Sequence, residues 1–207
     1  MQIFRTLQVN KTLTSRTVRD HMEHLVNIEA DIAWLSTIIE ERVKQNNFNF
    51  ESIKPDDLNK GCVYSDFIVE NKISNEERLL LILALVPHIY PVYLHNKFNT
   101  NYMNPDHSSK IYFIRCPEYH SAIIKSPSSN SFLPTGQTFL YLIAGKNLEK
   151  RVYYTKSIFE KQFHTISKNV IYPIQNNDFD PLLGNIITLK HNYALAFLTN
   201  NIELIKS

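Results

Sequence analysis

The sequence predicts an α+β fold, mainly α, with a long N-terminal helix followed by two short helices across a tight turn and a small β ribbon. Three observations predict it. Apolar residues recur every three or four positions from about Thr14 to Asn46. The segment "FLPTGQTFLYLIAGKNLEKR" (Phe132–Arg151) places helix-start and helix-stop residues around a glycine. Two β-prone runs separated by turn residues come after it.

The bulk properties suit that architecture. A chain of 207 residues holds one domain with a core, or one domain plus a helical appendage. Its 43% hydrophobic and 20% charged content is that of a globular protein. Lys plus Arg total 22 against 20 Asp plus Glu, a net charge of +2, so charge alone does not mark a nucleic-acid binder. The longest apolar run, Leu79 to Val86, is far short of the ~20 residues that span a bilayer. "MQIFRTLQVN" lacks the apolar stretch of a secretory leader, and Cys62 and Cys116 form no framework. The expectation is a soluble, cytoplasmic protein with reduced thiols and no membrane contact.

In the first element, Val18, Met22, Leu25, Ile28, Ile32, Leu35, Ile39 and Val43 form one stripe, with Trp34 beside it. Such a helix runs to roughly 40 Å and packs along a second layer or projects towards a partner. Asn46 to Asp57 is polar and reads as a loop, and "CVYSDFIVE" reads as a short strand. Residues 1–60 are therefore taken as helix plus linker, and 61–207 as the second unit, the two forming one structural body.

Ser74 and Glu77 fit a capping box before "RLLLILALV", which is apolar all round and belongs at the centre of the core. Pro87 and Pro91 are expected to end or kink that helix. Residues 96–131 are the least regular, with "KIYFIR" (Lys110–Arg115) β-prone and "KSPSSNS" (Lys125–Ser131) a loop. Beyond Pro134, Thr135 caps a helix from Gly136 to Ala144, and Gly145 stops it. Asn147 caps a second helix, Leu148 to Phe159, with Leu148, Val152 and Phe159 on one face. "NVIYPI" (Asn169–Ile174) and "NIITLK" (Asn185–Lys190) supply the ribbon, and "NYALAFLT" a last helix. Helix-turn-helix followed by a ribbon is the order of a winged-helix-like domain.

The chemistry of the sequence is sparse. Gly145-Lys146 suggests a phosphate loop, but Leu140 stands where the first glycine is needed and Asn147 where the hydroxyl is needed. The lysine also follows a helix, whereas a P-loop lysine opens one. His21 and His24, with Asp20 and Glu23 nearby, lack a third ligand and read as solvated side chains, as do His120, His164 and His191. No Gly-x-Ser-x-Gly elbow is present, Cys62 and Cys116 read as inert thiols, and Asp178 and Asp180 read as backbone caps. No enzyme activity and no cofactor are expected. Lys150, Arg151 and Lys156, with Tyr153 and Tyr154 among them, could face DNA or a protein partner. Protein docking is the preferred reading and DNA binding through residues 148–159 the alternative, since a module near charge balance holds phosphates weakly.

"ERLLLILALVPHIYP" (Glu77–Pro91), "SFLPTGQTFLYLIAGKNLEKR" (Ser131–Arg151) and "DPLLGNIITLKHNYALAFLT" (Asp180–Thr199), with Trp34-Leu35, resemble the N-terminal winged-helix-type region of bacterial AAA+ ATPases associated with phage-tail-like contractile injection systems. The sequence departs from that pattern between Phe98 and Ser131, where the family's glycine-rich run is missing. It also lacks Walker A and Walker B elements and ends at Ser207, where the family continues into the ATPase core. The resemblance implies a docking or adaptor role in particle assembly or remodelling, with the ATPase or an injection-particle component as partner. It implies no nucleotide turnover by this chain.

Overall fold

The computed structural model describes residues 24–45, 47–98, 123–126, 131–174 and 183–206. Val18, Met22, Cys116, His120, Asp178, Asp180 and the Lys110–Arg115 run lie outside them. Helix α1 (Leu25–Lys44) buries Asn27, Ile28, Asp31, Trp34, Leu35, Ile38, Ile39 and Arg42. The buried face is thus turned from the apolar stripe towards Trp34, leaving Leu25, Ile32 and Val43 only partly covered. The turn is possible because its three polar members find partners. Asn27 Nδ2 donates to the Asn59 carbonyl at 2.8 Å, Arg78 Nε donates to both Asp31 carboxylate oxygens, and Arg42 Nη2 donates to the Leu142 carbonyl at 2.9 Å. Trp34 anchors the polar loop through Nε1–H to the Ile53 carbonyl (3.0 Å) and through the Phe50 ring, 5.9 Å away.

"CVYSDFIVE" is not a strand. It forms helix α2 (Val63–Glu70), burying Val63, Tyr64, Phe67 and Ile68. These positions make one helical face, whereas strand alternation would have set Asp66 between Tyr64 and Ile68 in the core. Tertiary contact overrides the β-branched and aromatic composition: Phe197 packs against Tyr64 and Phe67, with ring centroids 5.4 Å away in each case.

Helix α3 (Asn75–Ile89) starts as expected, with Ser74 Oγ accepting the Glu77 amide at 3.3 Å. The Glu77 carboxylate does not complete the box. It is buried and accepts the Thr165 amide instead, tying a distant turn to the helix. Leu79 to Val86 are at most 1% exposed, so this helix is the centre of the core. Pro87 does not end it. The helix runs two residues further and stops at Tyr90 (φ −127°, ψ 86°), held out of the helical region ahead of Pro91.

After helix α4 (Tyr93–Phe98), strands β1 (Ile123–Lys125) and β2 (Phe132–Pro134) pair antiparallel, Ile124 opposite Leu133. This hairpin occupies part of the stretch read as irregular. Helices α5 (Gly136–Ala144), α6 (Leu148–Phe159) and the short α7 (His164–Ser167) precede an antiparallel ribbon, β3 (Ile171–Ile174) with β4 (Ile186–Leu189). A bridge from Thr135 to Ile186 joins the start of α5 to the ribbon. Helix α8 (His191–Thr199) and a 3-10 turn (Ile202–Ile205) follow. The fold is α+β, mainly α, and the order helix, turn, helix, ribbon is present. Among the described residues, buried side chains from Ile28 to Phe50 and from Cys62 to Phe197 belong to one apolar cluster.

Glycine is scarce, and four helices close on a left-handed residue other than glycine. Lys72 (φ 51°), Lys161 (φ 54°), Asn169 (φ 54°) and Asn200 (φ 53°) take that position after α2, α6, α7 and α8. In each the following amide returns to the carbonyl five residues back: Ile73 to Ile68, Gln162 to Ser157, Val170 to Thr165, Asn201 to Ala196.

Candidate functional site

The helix-turn-helix is built from its caps inward. Thr135 Oγ1 accepts the Thr138 amide at 3.3 Å, and Thr138 Oγ1 accepts the Thr135 amide at 2.9 Å, a complete capping box. The Gly136 and Gln137 amides donate to the Asn185 and Leu183 carbonyls. The first turn of α5 is therefore closed by backbone and offers no amides to a phosphate. Gly136 is needed for that closure, since a Cβ there would stand 2.8 Å from Leu183 Cβ. Pro134 is buried at the end of β2. Gly145 takes φ 55° at the end of α5, and Asn147 Oδ1 accepts the Lys150 amide at 2.9 Å to start α6.

Lys150, Arg151, Tyr154 and Lys156 do not share a surface. Arg151 folds back onto the turn, Nη1 donating to the Gly145 carbonyl and Nη2 to Gln137 Oε1, each at 2.7 Å. Tyr154 is buried edge-on to Phe139 at 6.0 Å. Burial first, then the charges of Glu76 and Glu51, push its hydroxyl up to about 12. Lys150 pairs with Glu51 at 3.2 Å, and Lys156 is exposed beside Glu160 at 3.7 Å.

The outward face of α6 carries Leu148 (75% exposed), Val152 (59%), Tyr153 (62%) and Phe159 (49%). Three of these are the stripe expected from sequence, but they face away from the protein, and α6 packs through Tyr154, Ser157 and Ile158. Residues 151, 154 and 158 recur at helical spacing as well as 148, 152 and 159 do. The packing of Tyr154 on Phe139 and the bond from Arg151 to the Gly145 carbonyl decide between them. Four exposed large apolar side chains on one helix are a marker of a contact surface.

The other candidates lie apart from this face. His24 is buried, not solvated, with Nε2 3.0 Å from the Leu198 carbonyl. Cys62 is buried between Asn27 Nδ2 (3.2 Å) and Ser65 Oγ (3.1 Å). His164 is exposed, and the exposed His191 ring lies 6.0 Å from His88. Among the described residues no cluster of His, Cys, Asp or Glu could hold a metal, and no helix is long and apolar enough to cross a membrane. Comparison of the chain with protein-family models, with curated proteins and with solved structures gave no match.

Proposed function

We propose that the protein is a cytoplasmic, non-catalytic docking module or adaptor, and that the outward face of α6 is its contact surface. The observation that carries this reading is the character of that face. Leu148, Val152, Tyr153 and Phe159 point to solvent while Arg151 and Tyr154 are turned inward, so the helix presents apolar and aromatic groups in place of a phosphate clamp. Such groups are enriched at protein contacts, whereas a helix that reads a major groove needs polar and basic side chains outward. Lys156, Glu149 and Glu160 border the stripe with mixed charge, the usual rim of a protein interface.

The occupant we propose follows from the family resemblance: an apolar groove on an injection-system ATPase or on a component of the injection particle, bound during assembly or remodelling. The test is a pull-down against those proteins produced from the same genome, followed by titration of the one recovered. Leu148→Ser with Val152→Ser and Phe159→Ser should abolish capture while the melting temperature changes little. Each buried anchor is worth about 1–2 kcal/mol, so the triple change is a loss of more than about a hundredfold. Unchanged binding by the triple variant would refute the assignment of the face.

A further inference from the structure

Away from α6, hydrogen bonds bring together three segments, each of which carries an exposed lysine. Lys72 follows α2, Lys168 follows α7, and Lys190 joins β4 to α8. Lys168 Nζ donates to Asn71 Oδ1 at 2.7 Å, directly beside Lys72. The Lys190 amide donates to the Val170 carbonyl at 2.9 Å, two residues from Lys168. All three side chains are exposed, and among the described residues none has a carboxylate within ion-pair distance. Lys190 Nζ lies 5.8 Å over the exposed ring of Tyr172. Of the nearby carboxylates, Glu77 is buried under the Thr165 amide, and Glu70 lies at the end of α2.

The fold accounts for only part of this charge. Lys72 and Lys168 sit at the C-terminal ends of α2 and α7, where a cation is favoured. Lys190 occupies the N-cap of α8, a position suited to Ser, Thr, Asp or Asn. It makes no side-chain cap there, and the first turn holds no acidic residue to offset it. Its charge therefore costs the helix a little, offset in part by its place over the Tyr172 ring.

We propose that Lys72, Lys168 and Lys190 form a contact surface for the phosphate backbone of nucleic acid. Lysine is depleted from protein interfaces, which need apolar anchors, and Tyr172 is the large apolar group this row offers. Spaced ammonium groups with no carboxylate partner among the described residues suit a repeating anion, which they hold without reading bases. The surface is independent of the α6 face.

The experiment is fluorescence anisotropy of a labelled 20-bp DNA duplex with the full chain, between about 50 and about 200 mM salt. Binding should weaken with salt, with a log–log slope of about −3, close to one counterion per lysine. The triple variant K72E/K168E/K190E should lose at least about tenfold in affinity at the lowest salt, and the triple Lys→Arg variant should retain it. K150E/K156E and the α6 serine variant should bind as the wild type does, which separates this surface from the docking face. The side chains changed are exposed, and a circular-dichroism melt of each variant verifies the fold. The proposal is overturned if the duplex does not bind at the lowest salt, or if the triple Glu variant binds undiminished. It is equally overturned if polyglutamate or phosphatidylserine vesicles bind this surface while the duplex does not.

Discussion

Changing Asp31 to Asn tests the buried polar centre of the protein. Asp31 is fully buried on α1 and accepts Arg78 Nε at 2.8 and 3.0 Å, Arg78 Nη2, and the Tyr64 hydroxyl at 2.5 Å. One carboxylate thus ties α1, α2 and α3 together. The Asn variant keeps the shape and an acceptor for Tyr64 but leaves the Arg78 guanidinium buried without its counter-charge. Removing one partner of a buried pair costs about 3–5 kcal/mol. Two contacts soften the loss: Arg78 Nη2 still donates to the Asp56 carbonyl at 3.1 Å, and the guanidinium lies 6.0 Å from the Trp34 ring. We expect the lower end, about 3 kcal/mol, against a total stability of roughly 10–30 kcal/mol for a chain of this length at ~0.05–0.15 kcal/mol per residue. Urea unfolding followed at 222 nm measures it as a lower midpoint with an unchanged slope. Asp31→Asn with Arg78→Met removes both charges, and should be less destabilised than Asp31→Asn alone, since no unpaired charge remains. A single-variant loss below about 1 kcal/mol, or additive losses in the double variant, would show that the pair does not organise the core.

Three further outcomes are expected. Gly136→Ala forces Cβ against Leu183 Cβ (2.8 Å) and the Leu183 carbonyl (2.9 Å), so it should lower stability by about 1–3 kcal/mol in the same titration. Lys161→Gly relieves a left-handed residue at φ 54°, and should raise the urea midpoint by the equivalent of ~0.5–1 kcal/mol once glycine's greater unfolded freedom is subtracted. Burial, and then the charge of His191, hold the His88 imidazole below its ordinary value of 6.5. The unfolded chain takes up that proton first as pH falls, so the contribution of His88 is complete above about pH 6.5 and lost below it. His88→Gln should flatten the acid side of the stability–pH curve, measured as urea midpoints from pH 7.5 to pH 5; an identical acid slope in the variant would contradict this.

Local chemistry was legible wherever a short-range rule decides the backbone. Thr135, Gly145 and Asn147 place the caps and turn of α5 and α6 as their side chains dictate, and Leu79–Val86 is central because a helix apolar all round has nowhere else to go. The ribbon was readable for the same reason, two β-prone runs across a turn. Where the reading failed, two patterns competed and a distant residue chose. Val63–Glu70 has strand composition, yet Phe197 draws Tyr64 and Phe67 onto one helical face. Glu77 could have closed its own capping box, but the Thr165 amide takes its carboxylate.

The interaction surfaces belong to the second kind. The sequence by itself determined that α6 exists, where it starts and which residues share each of its faces, because 3.6-residue periodicity and an asparagine cap are local properties. Which face turns outward was decided by Phe139 receiving Tyr154 and by Gly145 receiving Arg151, contacts that exist only once α5 and α6 are packed. The lysine row likewise needed the tertiary structure, since residues 72, 168 and 190 become neighbours through the Asn71 and Val170 hydrogen bonds. Caps and periodicity act within a few residues, whereas exposure is set by everything that packs around them.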